Sequence, residues 1–160
     1  MRKNVLITGA VRGIGRQTVI AMAREGYNVL VNYHSSRQEA QDLCNLCRKE
    51  YGVEAYPVYA DMGNVAEIRA MFAEIETLVP QLDVLVNNAG ISSEVYFLDA
   101  TEADFDRMTA IDWKGVYFCS QLAAKHMIAH HVRGVIVNVA SNQVNGCWPR
   151  ATIYGPTKAA

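Results

Sequence analysis

Short apolar runs alternate along the chain with longer segments in which apolar side chains recur at helical spacing. The runs are apolar almost throughout rather than alternating, which is typical of strands covered on both faces. They predict strands at 5–7, 29–31, 55–60, 83–86 and 135–139. Strands that alternate with helices predict an α/β fold with a doubly wound parallel sheet, and 160 residues suit a single domain over 1–160.

The predicted helix at 37–51 carries one apolar stripe, formed by Ala40, Leu43, Cys44, Cys47 and Tyr51. Cys44 and Cys47 have the C-x-x-C spacing that also occurs in zinc and redox sites. Both lie in the stripe, and no second cysteine pair or suitably spaced histidine completes a metal site. The sequence therefore favours buried core thiols and predicts no metal site here.

A capping box at Thr101 and Asp104 predicts the start of a long helix. One face of this helix is predicted to carry Phe105, Met108, Asp112, Gly115, Cys119, Leu122 and His126. Asp112 is unusual there, because an acid in an apolar stripe needs a partner or a function. His126 and His130 lie one turn apart, with no third ligand in the sequence pattern, and are interpreted as cations near a helix end.

Composition and charge argue against a nucleic-acid-binding protein and against a membrane protein. A net charge of −1 gives no electrostatic reason to bind nucleic acid or an anionic membrane surface. No apolar run approaches the roughly 18 residues of a membrane span. The first apolar stretch is too short for a secretory signal, so the four cysteines predict reduced thiols in a cytoplasmic protein.

A glycine-rich turn, Thr8-Gly-Ala-Val-Arg-Gly-Ile-Gly15, follows the first predicted strand and opens a helix. Glycines let the backbone approach a pyrophosphate, and the helix N-terminus offers free N–H groups. The spacing is G-x-x-x-G-x-G, and a tight strand–helix corner without a ligand is the alternative. The turn predicts a Rossmann-type dinucleotide site in a three-layer α/β/α fold.

The end of the second predicted strand bears on the choice of cofactor. An NAD-preferring site usually has an acid there, on the adenosine ribose, and none follows Asn32. Arg37 lies just beyond and Arg12 lies in the glycine turn. Because arginine binds phosphate in a bidentate fork, the pair favours NADP over NAD, although two solvated surface arginines are the alternative.

The last predicted helix carries a candidate acid–base pair, Tyr154 and Lys158, which are neighbours at a spacing of one turn. Tyrosine is a poor base at neutral pH, and an adjacent ammonium favours its phenolate form. Ser141, at the tip of the fifth predicted strand, can hydrogen-bond the same substrate oxygen. The hydride itself must come from a cofactor. These residues predict reduction of a carbonyl or oxidation of an alcohol.

The TGAVRGIG turn, the N-N-A-G sequence at 87–90 and the spacing of Ser141 from Tyr154 together resemble the short-chain dehydrogenase/reductase family, in its NADP-preferring carbonyl and 3-oxoacyl reductase branch. The resemblance implies that Tyr154 is the acid–base, Lys158 also holds the nicotinamide ribose, and Ser141 orients the carbonyl. The residues expected to contact the cofactor are Thr8, Gly9, Arg12, Gly13, Ile14, Gly15, Asn32, Arg37, Asp61, Met62, Asn88, Ala89, Gly90, Tyr154 and Lys158.

Two departures from the family pattern bear on function. Asp112 stands where the family has an asparagine that holds a water in the proton relay, so the relay is expected to be altered. The family fold also continues with two more strands, the rest of the catalytic helix and a substrate-covering segment. The chain is therefore interpreted as an N-terminal portion, inactive and poorly soluble alone, and the complete chain as a homo-oligomer acting on a small carbonyl or alcohol.

The alternative function is a non-catalytic dinucleotide-binding or assembly module of the same fold. Asp112 favours this alternative, and the intact Ser141, Tyr154 and Lys158 favour the enzyme. The sequence does not identify the substrate, because its pocket would be shaped by the loops at 91–100 and 142–151 rather than by the motifs. Tyr96 and Trp148 are candidate lining residues, with packing elsewhere an equal alternative.

Overall fold

The computed structural model describes residues 2–92, 94–146 and 148–160. Its strands are β1 (Asn4–Ile7), β2 (Asn28–Tyr33), β3 (Ala55–Tyr59), β4 (Val84–Asn87) and β5 (Val135–Asn138). They form one parallel sheet in the order β3-β2-β1-β4-β5. Leu6 in β1 pairs with Leu30 on one side and Leu85 on the other, so β1 is central. The strand order reverses beside β1, where doubly wound sheets bind ligands.

Helices cover the two faces of this sheet. They are α1 (Gly13–Arg24), α2 (Arg37–Tyr51), α3 (Val65–Leu78), α4 (Glu102–Thr109), α5 (Val116–Ala129) and α6 (Tyr154–Ala159), with a π-helical segment at Ala110–Gly115 between α4 and α5. The bounds of α2 are those predicted from its apolar stripe. No helix among the described residues is long and apolar enough to cross a membrane.

Two apolar cores, one on each face, confirm the three-layer α/β/α prediction. On one face α1 and α2 pack on the sheet through buried residues such as Ile7, Val31 and Cys44. On the other face α3 and α5 pack through residues such as Leu85 and Ile75. The alternation of side chains along a strand sends neighbouring residues to opposite cores.

The C-x-x-C thiols lie in the first core, which confirms the helix-stripe interpretation. Cys44 and Cys47 are fully buried on α2. Burial raises the pKa of Cys44 to about 12 and raises the pKa of Cys47. Both thiols are therefore held in their protonated, weakly reactive form at neutral pH.

Three sequence predictions are corrected by tertiary structure. The fifth strand is not covered on both faces: β5 is an edge strand, with Val135 and Val137 largely exposed. Phe105, which was predicted to share a face with Met108, is 53% exposed, whereas Met108 is fully buried. The long helix is also not uniformly α-helical, because it contains a π-helical segment. This segment changes the direction of the side chains that follow it. By contrast, Pro57 lies on the edge strand β3, as predicted.

Candidate active site

The glycine turn between β1 and α1 brings the backbone close to the end of β4. Gly9 has φ +59, and a Cβ there would stand 2.9 Å from the Ala89 Cα. Gly13, at the first position of α1, has φ +52 and nothing within 4 Å of where a Cβ would stand. The turn is thus tight on its inner side and open on its outer side, beside the free N–H groups of the helix start.

Thr8 and Asn88 fasten this turn to the loop after β4. The Thr8 Oγ1 accepts hydrogen bonds from the backbone N–H groups of Asn88 and Ala89, at 3.0 and 2.9 Å. In return the Asn88 Nδ2 donates to the carbonyl oxygens of Thr8 and Gly9, at 2.9 and 3.1 Å. Thr8 is buried beneath the turn, so its side chain sets the shape of the turn.

Asn32, at the end of β2, supports the turn from the other side. Its Oδ1 accepts from the Gly9 N–H at 3.0 Å, and its Nδ2 donates to the Ala60 carbonyl at 3.2 Å. The residue is 1% exposed. Its side chain is therefore committed to neighbouring backbone, and it acts as a positioning residue for the turn.

A pocket of about 520 Å³ opens over the turn at the carboxyl edge of the sheet. It is lined by residues 9, 11–15, 32–36, 60–62, 88–91 and 111. The predicted contacts Arg12, Asp61, Met62, Asn88, Ala89 and Gly90 are among them. The carboxyl ends of parallel strands meet at one edge, which is why segments distant in sequence converge here.

Arg37, which the sequence predicted at this end, is not among the residues that line the pocket. It is the exposed first residue of α2 and directly follows Ser36, which does line it. The residues that do line this end are His34, Ser35 and Ser36. The His34 Nε2 lies 3.9 Å from the Asp61 Oδ2. Sequence reasoning missed them, although their position directly after a predicted strand could have identified them.

Lys158 and Asp112 meet beside Gly90, which lines this pocket, and both line an adjoining cavity. The Lys158 Nζ lies 3.9 Å from the Asp112 Oδ2, with both side chains almost fully buried. A Cβ on Gly90 would stand 2.8 Å from that Nζ, so a glycine lets the ammonium approach the backbone. The Asp112 Oδ1 accepts from the Ile91 N–H at 2.8 Å. The pair is thus anchored to the loop that follows β4.

The surroundings of the Asp112 carboxyl have opposing effects on its pKa. Its burial raises its pKa, although the Ile91 N–H and the Lys158 ammonium act in the opposite direction. Its Oδ2 has no hydrogen-bond partner among the described residues. The sequence prediction that this acid requires a partner is met in part, by an ion pair longer than a hydrogen bond.

Tyr154 and Ser141 lie on the same edge of the sheet. Tyr154 is the first residue of α6, and the Lys158 Nζ is 5.9 Å from the centre of its ring. Ser141 follows β5, and its Oγ accepts from the Gln143 N–H at 3.2 Å. Within the described part of the chain, its own proton is engaged only in a long contact of 3.4 Å with the Asn142 Oδ1. The hydroxyl can therefore be offered to a substrate oxygen.

The two loops predicted to shape a substrate pocket contact each other. Val95 and Ala151 form an isolated parallel β-bridge. The Arg150 guanidinium lies 4.8 Å from the centre of the Tyr96 ring and donates to its hydroxyl at 3.2 Å. Trp148 lines a pocket of about 400 Å³ against α6. Tyr96 is thus partnered by Arg150, and Trp148 faces the helix that begins with Tyr154.

The chain is similar to known oxidoreductases over its whole length. The family model described as "short chain dehydrogenase" matches residues 3–160. The 3-oxoacyl-[acyl-carrier-protein] reductase FabG of Staphylococcus aureus is 35% identical over 168 residues, which cover 100% of this chain and 68% of the reductase. The trihydroxynaphthalene reductase of Colletotrichum orbiculare is 32% identical, over 99% of this chain and 55% of that enzyme.

Solved structures agree with these relatives. Acetoin dehydrogenase YohF from Salmonella typhimurium superposes with a TM-score of 0.93 at 28% identity, over 99% of this chain and 62% of that one. A gluconate 5-dehydrogenase from Burkholderia cenocepacia, solved in complex with NADP and tartrate, gives 0.91 at 32% identity, over 99% and 61%. The chain therefore spans less than two thirds of the length of either structure. On its sequence and on its fold, it belongs to the short-chain dehydrogenase family.

Proposed function

We propose that the protein is an NADP(H)-dependent oxidoreductase that interconverts a ketone and a secondary alcohol. The observation that carries the proposal is the position of the Lys158 ammonium, at the Gly90 end of the dinucleotide-type pocket and one helical turn from Tyr154. A cationic group that joins a cofactor pocket to a phenol is suited to proton transfer at an alcohol oxygen.

The residues around the pocket fit a dinucleotide. The open, positive-φ backbone at Gly13 and the N–H groups at the start of α1 would hold the pyrophosphate. Asp61 and Met62 would hold the adenine, and Ala89 and Gly90 the nicotinamide side. When bound, the nicotinamide supplies or accepts the hydride, which no side chain can do.

The proton steps belong to the chain itself. In reduction, the Tyr154 hydroxyl donates its proton to the carbonyl oxygen as that oxygen becomes an alcohol. The Lys158 ammonium stabilises the phenolate that remains. The Ser141 hydroxyl donates a hydrogen bond to the same oxygen and stabilises its developing charge. Oxidation of the alcohol follows the same steps in reverse.

Substitution of Tyr154 tests this function. Tyr154→Phe removes only the hydroxyl, and we expect it to lower turnover of NADPH with a panel of ketones by at least about a hundredfold, within the usual range for a general acid–base. Tyr51→Phe, at the end of α2 and away from the pocket, is the matched control and should leave turnover unchanged. Equal turnover by the Tyr154 variant and the wild type would overturn the assignment.

The preference for NADP rests on Arg12, which lines the pocket, and on the absence of an acid at residues 33–36. A charge-assisted hydrogen bond contributes about 1.5–3 kcal/mol, which corresponds to more than tenfold in affinity. We expect Arg12→Ala to lower NADPH affinity more than tenfold while NADH affinity changes little. Arg37→Ala, outside the pocket, is the control. Equal loss for both cofactors would contradict the preference.

A second copy of the chain is the proposed partner. Trp113 and Tyr117 are exposed on the long helix and line a shared groove with Phe118. Exposed aromatic side chains in a cluster are typical of an interface. Light scattering of the full-length protein should give an oligomer, and Tyr117→Glu should give a smaller species. A wild-type monomer at micromolar concentration would contradict this.

A further inference from the structure

A glutamate and two histidines form a cluster at the opposite edge of the sheet from the cofactor pocket. Glu76 lies in the last turn of α3, His126 in the last turn of α5, and His130 directly after α5. These helices lead into the beginnings of β4 and β5, so the cluster lies at the amino edge of the sheet. It is separate from the residues proposed to act in the redox reaction.

The three side chains already converge on one point. The Glu76 Oε2 is 2.7 Å from the His126 Nδ1, and its Oε1 is 2.8 Å from the His130 Nε2. The two imidazole rings have centres 4.4 Å apart and are tilted by 31°. One ligand atom from each residue lies within 4.8 Å of the others. Sequence reasoning found no third ligand for the two histidines, because Glu76 arrives from a different helix.

The sequence interpretation of His126 as a cation near a helix end is also corrected. The side chain of His126 is only 5% exposed, and its one polar contact among the described residues is with Glu76. Burial lowers the pKa of His126, although Glu76 opposes this. The hydrogen bonds from the histidines lower the pKa of Glu76.

We propose that Glu76, His126 and His130 bind a divalent transition-metal ion of the Zn²⁺, Co²⁺ and Ni²⁺ class. Two imidazoles and one carboxylate are a ligand set that such ions accept. With metal–ligand distances of about 2.0–2.1 Å, ligand atoms around a tetrahedral ion lie roughly 3.3 Å apart. The present separations, from 2.7 Å to at most 4.8 Å, bracket that value, so small side-chain movements would complete the site.

The surroundings of the cluster leave room for entry of the ion. The side chain of Glu76 is 52% exposed and that of His130 is 32% exposed, whereas His126 forms the buried wall. Three protein ligands leave a fourth position for water. Because the ligands come from α3 and α5, a bound ion would fasten these two helices to each other, and its role would be structural.

Zinc titration of the full-length, chelator-treated protein tests the proposal. We expect calorimetry to give one Zn²⁺ per chain, and Co²⁺ to give the visible absorption of a four-coordinate site. Loss of a residue that only hydrogen-bonds to a metal ligand typically weakens metal affinity by about 10- to 100-fold. Removal of a ligand itself, by Glu76→Gln or His130→Gln, should therefore weaken Zn²⁺ affinity by at least about 100-fold. Zn²⁺ should raise the Tm of the wild type but not that of the two ligand variants.

Two substitutions serve as matched controls. His131→Asn changes the exposed neighbouring histidine, whose φ of +55 asparagine tolerates, and Glu74→Gln changes an exposed acid on the same helix as Glu76. Both should bind Zn²⁺ like the wild type. Circular dichroism checks that each variant is folded. Less than one Zn²⁺ per wild-type chain, or equal binding by a folded His130→Gln variant, would show that the cluster is only a hydrogen-bonded contact.

Discussion

Replacement of Asp112 by asparagine removes a buried charge beside Lys158 while preserving the shape of the side chain. The Oδ1 of asparagine can still accept the Ile91 N–H, which the Asp112 Oδ1 now accepts at 2.8 Å. The atom that replaces Oδ2 becomes a donor, in a position that has no hydrogen-bond partner among the described residues. We expect Asp112→Asn to keep the fold and to hold or raise turnover.

The size of the effect follows from two opposing contributions. At 3.9 Å, the attraction between Asp112 and Lys158 is about 4 kcal/mol at an effective dielectric constant of 20. Desolvation of the carboxylate costs several kcal/mol. Because the pKa of Asp112 is raised, desolvation exceeds the stabilising contacts of the ionised form. Because the two contributions largely cancel, the change in stability should stay within about 1 kcal/mol, or about 4 °C in Tm for a chain of this size.

The dependence on pH gives a sharper readout than stability at one pH. The pKa of Asp112 in the folded state lies above its reference value of 3.8. Between these two values the folded state binds more protons than the unfolded state, so the contribution of Asp112 to stability is lost as the pH rises. The Asp112→Asn variant lacks this titration, and its stability relative to the wild type should rise with pH from about pH 4.

Thermal unfolding across pH and steady-state turnover measure these outcomes. Asp112→Ala is the control, because it leaves the half-buried Ile91 N–H without this acceptor and should cost about 1–3 kcal/mol. A loss of turnover beyond about a hundredfold in Asp112→Asn, equal to about 2.7 kcal/mol, would show that the carboxylate itself is required. A stability difference from the wild type that does not change with pH would refute the charge argument.

Three other substitutions test separate parts of the account. Gly90→Ala would bring a Cβ to 2.8 Å from the Lys158 Nζ; it should change Tm little, because a lysine tip can move, but lower turnover by about a hundredfold. Thiol labelling of Cys44 and Cys47 should be slow in the folded state, and Cys44→Ser should leave the metal content unchanged; a bound Zn²⁺ lost with Cys44 would contradict the core assignment. Asn64→Ala removes the cap of α3, whose Oδ1 accepts from the Ala66 N–H at 3.0 Å, and should cost about 1 kcal/mol in chemical denaturation, whereas no measurable change would contradict the capping role.

Local features of this fold were predictable because they depend on neighbouring residues. The apolar stripe of α2 gave its bounds, and the capping box at Thr101 gave the start of α4. The glycine turn was recognisable because a strand, a tight corner and a helix start follow one another in sequence. Each of these signals lies within a short stretch of neighbouring residues.

Features that depend on the packing of distant segments were not predictable in the same way. The position of Arg37 relative to the pocket depends on how α2 packs on β2 and β3. The approach of Glu76 to His126 depends on how α3 packs against α5. The commitment of Asn32 to the glycine turn depends on the pairing of β1 with β2. None of these contacts follows from a periodic pattern in the sequence.

Transfer of deuteride from nicotinamide-deuterated NADPH to a ketone is the most direct test of the central claim. The full-length protein should give a secondary alcohol that carries one deuterium on the former carbonyl carbon, seen by mass spectrometry. The Tyr154→Phe variant should bind the same cofactor and form at least about a hundredfold less labelled product. Cofactor binding with no labelled alcohol from any ketone in the panel would contradict the account and favour a non-catalytic dinucleotide-binding module.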